Sequence, residues 1–173
     1  MGSVEGGTDR DASLRPVLVL AGAALLLYAL DQVTKALVVA NVPLGARYDV
    51  IGEFVQLWHV RNTGAAFSIL PGATWLFVPV TLGAIGMVVY FHRTLRDRGP
   101  WIQLILGAIL AGALGNLTDR LRLGYVTDFV SVGIGDVRFP TFNVADSAVV
   151  LGIAALVTFL TFFDQPRSAE VAG

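Results

Sequence analysis

The sequence predicts an all-α integral membrane protein with four transmembrane helices, and three observations lead to that fold class. The 173-residue chain is 55% hydrophobic and has a mean hydropathy of +0.70. Only 14% of its residues are charged, whereas soluble proteins usually carry about 25%. Four apolar segments also come close to the roughly 20 residues that a helix needs to cross the hydrocarbon of a bilayer.

The four apolar segments cover residues 17–40, 71–91, 100–118 and 144–163. The first is too long for the apolar part of a cleaved signal peptide, and polar residues interrupt its second half, so we expect it to be retained. The second and third contain no charged residue, and the fourth contains only Asp146 near its start. We therefore predict one membrane domain over residues 15–165.

The distribution of arginine predicts the orientation. An even number of spans puts both termini on one side, and the short connector 92–99 carries three arginines. Short loops rich in Lys and Arg stay cytoplasmic, so the tails 1–14 and 166–173 are expected in the cytoplasm. The first tail is rich in Gly and charge, which predicts disorder.

The two remaining connectors, 41–70 and 119–142, then face the outside. Both mix β-forming residues with Gly and polar residues, which predicts short strands. The Gly-rich centre of the second connector lies between β-rich flanks and predicts a hairpin. A small extracytoplasmic β-structured cap should therefore cover the outer end of the helices.

Conspicuous polar residues concentrate at that same outer end. Each has a structural explanation: Asn143 as a helix N-cap, Asp146 as a favourable charge in a first turn, Asp31 and Lys35 as an i,i+4 pair. Together they favour function, because an ionisable group within a span costs about 2.5–3.5 kcal/mol on insertion scales. The full set is Asp31, Lys35, Asn62, Asn116, Asp119, Arg120, Asp128, Asn143 and Asp146.

Composition leaves carboxylates as the available chemistry. Cysteine is absent, the predicted topology separates His59 from His92, and neither an HExxH motif nor a phosphate-binding loop occurs. A net charge of −1 offers no basic surface for nucleic acid. Two aspartates held close together can share one proton and activate water. Asp128 and Asp146 are the candidate pair, because Asp31 and Asp119 each have a cation nearby in sequence and should be structural.

Several alternatives accompany this interpretation. Residues 133–136, GIGD, match the GxGD pattern of presenilin-like and prepilin peptidases, but their β-rich flanks favour a hairpin turn. A small transporter or channel with an outer cation site, or a membrane scaffold, could also use the polar cluster. The inner halves of the helices have almost no polar residues, which argues against a pathway across the membrane. Four aromatic residues could line the site or anchor the interface: Trp58, Phe67, Phe139 and Phe142.

Five motifs together resemble one known family. They are DQVTK (31–35), NTGAAFS (62–68), GNLTDRL (115–121), VTDF (126–129) and FNVADS (142–147). In this order and spacing they resemble the lipoprotein signal peptidases, the type II signal peptidases of bacteria. The resemblance implies four transmembrane helices, cytoplasmic termini and a periplasm-side β-cradle in the bacterial cytoplasmic membrane.

The resemblance also implies an activity. It predicts an aspartic endopeptidase that removes the signal peptide of diacylglyceryl-modified prolipoproteins, cutting on the amino side of the lipidated cysteine. The family's catalytic dyad falls on Asp128 and Asp146. Its support residues fall on Asp31, Lys35, Asn62, Asn116, Asp119, Arg120 and Asn143, and Gly64 would allow close backbone approach. We expect a monomer without metal or cofactor that contacts membrane lipid, binds no nucleic acid and is inhibited by globomycin-like cyclic peptides.

Overall fold

A computed structural model of the chain describes residues 5–64 and 74–163, and the side chains of residues 14–64 and 77–163. In chain order the elements are α1 (Glu5–Asn41), β1 (Arg47–Ile51), β2 (Val55–Asn62), α2 (Thr74–Leu95), α3 (Pro100–Leu123), β3 (Val126–Ile134), β4 (Val137–Arg138) and α4 (Val144–Phe162). Each helix contains a segment long and apolar enough to cross a membrane. The predicted combination of four such helices with a small β-structured unit is therefore confirmed.

Two helices extend beyond their predicted ends. Helix α1 begins at Glu5, so it includes residues 5–14 of the tail for which the sequence predicts disorder. Extending an existing helix avoids the cost of nucleation, which lets a polar flank continue it. Helix α2 ends at Leu95 instead of residue 91, because Leu95 is buried in the apolar cluster between the helices. Residues 71–73 lie outside the described residues.

Helix α3 also runs further than residue 118, the predicted end. It reaches Leu123 and ends at Gly124, whose φ of 78° is the left-handed conformation that glycine adopts at helix ends. The Gly124 N–H donates to the carbonyl of Arg120 at 3.1 Å. Asp119 and Arg120 therefore lie on the last turns of a helix, and strand β3 begins only two residues after Gly124.

Helix α3 is the centre of the bundle. In its membrane-spanning segment 56% of residues are buried, against 11–17% in the other three helices. Small residues let its neighbours approach: a Cβ on Gly115 would lie 2.5 Å from Oδ2 of Asp31 in α1, and one on Gly112 would collide with the carbonyl of Ala145 in α4. These two contacts bring α1 and α4 against the same turns of α3.

A four-stranded antiparallel sheet in the order β1-β2-β3-β4 packs at the end of the bundle where α3 ends and α4 begins. Val38 of α1 and Val42, just after the end of α1, pack with Phe129 of β3 and join the sheet to the helices. Ile134 pairs with Val137, so the GIGD segment forms the predicted hairpin turn. Val130 also bridges to Phe142, which brings the start of α4 beside strand β3.

Candidate active site

Asp128 is the third residue of strand β3, and only 1% of its surface is exposed. Both of its carboxylate oxygens accept hydrogen bonds from side-chain amides. Asn62 Nδ2 donates to Oδ2 at 2.9 Å, and Asn143 Nδ2 donates to Oδ1 at 2.7 Å. Asn62 reaches this position because strand β2 pairs with β3 and places Asn62 opposite Val126.

Asp146 lies in the first turn of α4 and is tied to the same asparagine. Asn143 is the N-cap of the helix: its Oδ1 accepts from the Asp146 N–H at 2.8 Å, and its own N–H donates to Asp146 Oδ2 at 3.1 Å. Asn116 Nδ2 donates to Asp146 Oδ1 at 2.7 Å. The capping explanation is thus correct, and Asn143 in addition contacts both carboxylates.

The surroundings of Asp128 favour its protonated form. Burial, followed by the charge of Asp146, raises the pKa of Asp128 to about 7. The hydrogen bonds from Asn62 and Asn143 and the charge of Lys35 lower this pKa and only partly offset the increase. Two neighbouring carboxyls of which one titrates near neutral pH can hold a proton between them.

Lys35 contacts three polar side chains near Asp128 and Asp146. Its Nζ is 2.9 Å from Asp31 Oδ2, 3.0 Å from Asp119 Oδ2 and 3.0 Å from Asn116 Oδ1. The expected i,i+4 pair of Asp31 and Lys35 is present. The cation that pairs with Asp119 is Lys35 and not Arg120, its neighbour in sequence, because helix α1 packs its polar face against α3.

Asp31 and Asp119, the two carboxylates that pair with Lys35, each also accept a hydrogen bond from a backbone N–H. Asp31 Oδ1 accepts from the N–H of Ala145 at 2.9 Å, and Asp119 Oδ2 accepts from the N–H of Thr127 at 3.1 Å. Ala145 directly precedes Asp146, and Thr127 directly precedes Asp128. Lys35 therefore joins two carboxylates that each hold the backbone beside one member of the candidate pair.

Two further predicted residues have defined contacts. Arg120 Nη1 donates to the Asn116 carbonyl at 3.4 Å, and its guanidinium lies 4.7 Å from the centre of the Phe77 ring. The ion pairs found among the described side chains do not include Arg120. The Gly64 N–H donates to Asn62 Oδ1 at 3.1 Å, which turns the amide nitrogen of Asn62 towards Asp128.

Gln32 is a site residue that sequence reasoning missed. Its Nε2 lies 3.1 Å from Asp31 Oδ2, 3.3 Å from Asp119 Oδ1 and 3.4 Å from the Gly115 carbonyl. It thereby gives both structural carboxylates a donor besides Lys35. The sequence signal that could have identified Gln32 is its position, since it is a polar side chain inside a predicted span and next to Asp31.

An apolar cavity of about 280 Å³ opens beside Asp146. Phe139 and Phe142, whose rings meet edge to face at 6.0 Å, form one wall, and Val150 and Leu151 of α4 form another. Trp58 instead packs under the guanidinium of Arg47, 3.6 Å from its ring centre. Phe67 lies outside the described residues.

The sequence matches a known protein family and several of its members. The sequence profile of the family described as signal peptidase II matches residues 23–162. A lipoprotein signal peptidase of Rhodococcus jostii is 48% identical over 156 residues, which cover 87% of this chain and 74% of the relative. One of Shouchella clausii is 44% identical over 130 residues, covering 75% of this chain and 84% of the relative.

Solved structures agree with the sequence matches. The fold is similar to a bacterial membrane enzyme determined at 2.3 Å resolution, with a TM-score of 0.74, 30% identity, and 92% and 94% of the two chains covered. A second bacterial membrane enzyme structure, at 1.9 Å resolution, matches with a TM-score of 0.71 and 32% identity over 87% and 94% of the chains.

Proposed function

Because this chain belongs to the family of lipoprotein signal peptidases, which remove signal peptides from lipoproteins, we propose that it does so with Asp128 and Asp146 as an aspartic dyad. Its substrates are diacylglyceryl-modified prolipoproteins, and it cuts on the amino side of the lipidated cysteine. The observation that carries the dyad is the position of Asn143, which binds Asp128 through its side chain and Asp146 through its backbone.

The proposed reaction needs one proton on the pair and one water between the two carboxyls. The ionised carboxylate removes a proton as the water oxygen attacks the scissile carbonyl carbon, while the protonated carboxyl gives its proton to the carbonyl oxygen. A carboxyl then protonates the amide nitrogen, the C–N bond breaks, and the diol loses a proton to the other carboxylate. The products are a new carboxyl terminus and an amine, and the dyad regains its starting state.

The surrounding amides support this chemistry by their orientation. Asn62 and Asn143 direct N–H groups at Asp128, and Asn116 directs one at Asp146. Such donors stabilise a carboxylate without adding net charge, so the dyad can pass between its singly protonated forms. Lys35, Asp31 and Asp119 act as positioning residues, since they contact the amides and the backbone beside the dyad.

Substrate access follows from the position of the site. Arg120, next to Asn116 at the end of α3, is placed to hold a substrate carbonyl with its guanidinium. The apolar cavity between Phe142 and Leu151 is suited to a lipid chain or an apolar side chain close to the scissile bond. The substrate can then keep its acyl chains in the bilayer while its peptide bond reaches the dyad at the membrane boundary.

The setting that we propose is the bacterial cytoplasmic membrane. This multi-pass protein would have cytoplasmic termini, with the β-sheet and the dyad at the extracytoplasmic leaflet, because the short connector between α2 and α3 carries two of the arginines that favour the cytoplasm. It would act as a monomer, without metal or cofactor, and be inhibited by globomycin-like cyclic peptides.

Hydrolysis of a lipidated prolipoprotein peptide by the purified protein tests this proposal. Asp128→Asn and Asp146→Asn should each lower the rate of cleavage at least 100-fold while the variants stay folded. Asp136→Asn is the matched control, because Asp136 is exposed in the hairpin turn and belongs to the GIGD segment. A dyad variant that retains a tenth of the wild-type rate, or a loss of cleavage in Asp136→Asn alone, would contradict the assignment. Complete inhibition by a chelator would contradict the metal-free mechanism.

A further inference from the structure

A cavity of about 210 Å³, lined by both charged and apolar residues, lies at the opposite end of the bundle from the aspartates. Arg15 and Pro16 of α1, Arg96 after α2, and Gln103 of α3 line it. Pockets for drug-sized ligands measure about 300–1,000 Å³, so this cavity is suited to a smaller group. No part of the proposed reaction uses these residues.

The depth of the cavity follows from the two parallel helices that form it. Arg15 precedes Asp31 by sixteen residues on α1, and Pro100 precedes Asn116 by sixteen on α3. At 1.5 Å per residue both distances are about 24 Å, and the hydrocarbon of a bilayer is about 30 Å thick. The cavity therefore lies near the other membrane boundary, at the depth of lipid headgroups.

The cavity carries positive charge from two side chains and one helix end. Arg15 takes part in none of the ion pairs found among the described side chains. Helix α3 begins here with Pro100 in its first turn, and its N-cap Gly99 provides no side-chain cap. The first N–H groups of such a helix favour an anion.

One carboxylate, Asp97, also lines the cavity but does not neutralise it. Its side chain is 89% exposed, whereas that of Arg96 is 45% exposed. The pair is loose, with 3.7 Å between Arg96 Nε and Asp97 Oδ1. The terminal nitrogens of the Arg96 guanidinium can therefore bind a second anion, and two arginines against one aspartate leave a net positive charge.

The inner wall of the cavity is formed by a buried, hydrogen-bonded side chain. Gln103 is 1% exposed, its Oε1 is hydrogen-bonded to His92 Nδ1 at 2.7 Å, and its Nε2 donates to the Leu95 carbonyl at 3.4 Å. On the membrane side, Pro16 and Val19 border the cavity, and the neighbouring Leu18 is 67% exposed. A ligand held here would have a polar head against the arginines and apolar surface beside it.

We propose that this cavity binds the phosphate of an anionic membrane phospholipid in the leaflet opposite the dyad. Guanidinium groups bind phosphate oxygens in pairs, and basic pockets between helices on the cytoplasmic side bind anionic headgroups. The lipid rather than free phosphate is the occupant, because only a lipid also covers the apolar surface around Leu18. Binding here is independent of the dyad chemistry.

Native mass spectrometry of the purified full-length protein with phosphatidylglycerol and phosphatidylcholine tests the proposal. The wild type should retain one phosphatidylglycerol, at least tenfold more than phosphatidylcholine, and Arg15→Gln with Arg96→Gln should remove this preference. Arg93→Gln is the matched control, because Arg93 is exposed at the same end but does not line the cavity. Thermal unfolding of each variant in the same detergent verifies the fold.

Four results would overturn the proposal. Equal retention of both lipids by the wild type would show that the cavity does not select a headgroup charge. The same loss in Arg93→Gln as in the double variant would show a diffuse charge effect. Displacement of the lipid by millimolar inorganic phosphate would show that the site takes the free anion. If the double variant unfolds, Arg15→Lys with Arg96→Lys should keep the preference, and its loss there would also count against the site.

Discussion

Lys35 and Asn116 contact each other beside the proposed dyad, with 3.0 Å between Lys35 Nζ and Asn116 Oδ1. Asn143 Nδ2 donates to the same oxygen at 3.1 Å. With two donors at Oδ1, the amide nitrogen of Asn116 must face Asp146, 2.7 Å away. A buried cation on α1 thereby sets the direction of a hydrogen bond between α3 and α4.

Asn116→Asp tests that direction, because it keeps the acceptor for Lys35 and replaces the donor to Asp146 by an oxygen. A hydrogen bond to a charged group contributes about 1.5–3 kcal/mol, so we expect kcat to fall about 10- to 100-fold. The added negative charge favours the protonated dyad, so the pH optimum should move to higher pH. The pH profile of kcat measures both effects. Asn41→Asp adds the same charge at the exposed end of α1 and should leave the optimum unchanged; an unshifted optimum in Asn116→Asp would refute the prediction.

Asn143→Ser separates helix capping from contact with the dyad. Serine keeps an N-cap acceptor for the Asp146 N–H but loses the donor to Asp128. We expect kcat to fall as far in Asn143→Ser as in Asn143→Ala, while the alanine variant is less stable by about 1 kcal/mol because it also loses the cap. Chemical denaturation and peptide hydrolysis measure the two properties. Full activity in the serine variant would reduce Asn143 to a cap.

Asp128 should make stability depend on pH. Its pKa is about 7 in the folded protein and about 3.9 in an unfolded chain, so between these values the folded state holds the extra proton. Its contribution to stability is therefore complete below about pH 4 and lost as pH rises to about 7, at up to about 1.4 kcal/mol per pH unit. The difference in unfolding free energy between wild type and Asp128→Asn across pH 4–8 measures it. Asp136→Asn should parallel the wild type, and a constant difference for Asp128→Asn would exclude the raised pKa.

Gly115→Ala tests the close packing of α1 against α3. The new Cβ would lie 2.5 Å from Asp31 Oδ2, so Asp31 must move and its hydrogen bond to the Ala145 N–H must weaken. Overpacking of this kind costs about 1–3 kcal/mol, and activity should fall with it. Gly86→Ala on α2, where nothing lies within 4 Å of the added carbon, is the control and should be neutral or slightly stabilising. Thermal unfolding in detergent compares the two, and equal stability would contradict the packing.

The spans and the grouping of polar residues could be predicted because both depend on local composition and on the position of residues along a helix. The exact helix ends could not. Leu95 remains helical because it is buried among other helices, and Asp119 and Arg120 remain helical because the helix ends only at Gly124.

The pairing of charged side chains within the site could not be predicted from the sequence either. Whether Lys35 or Arg120 pairs with Asp119 depends on the rotation of α1 against α3, which the packing at Gly115 decides. The contact of Asp31 with the Ala145 N–H joins residues that are far apart in the chain and leaves no local pattern. The resemblance to a known family identified Asp31, Lys35 and Asp119 as support residues, and the structure shows which groups they contact.

Single-turnover hydrolysis by Asp128→Asn, Asp146→Asn and the double variant tests the dyad most directly. Each single variant should lose about 100- to 10,000-fold in rate. The effects of mutating an acid and a base that act as one unit are not additive, so the double variant should lose no more than the worse single variant. Losses that multiply in the double variant, or a single variant retaining a tenth of the wild-type rate, would contradict a shared dyad.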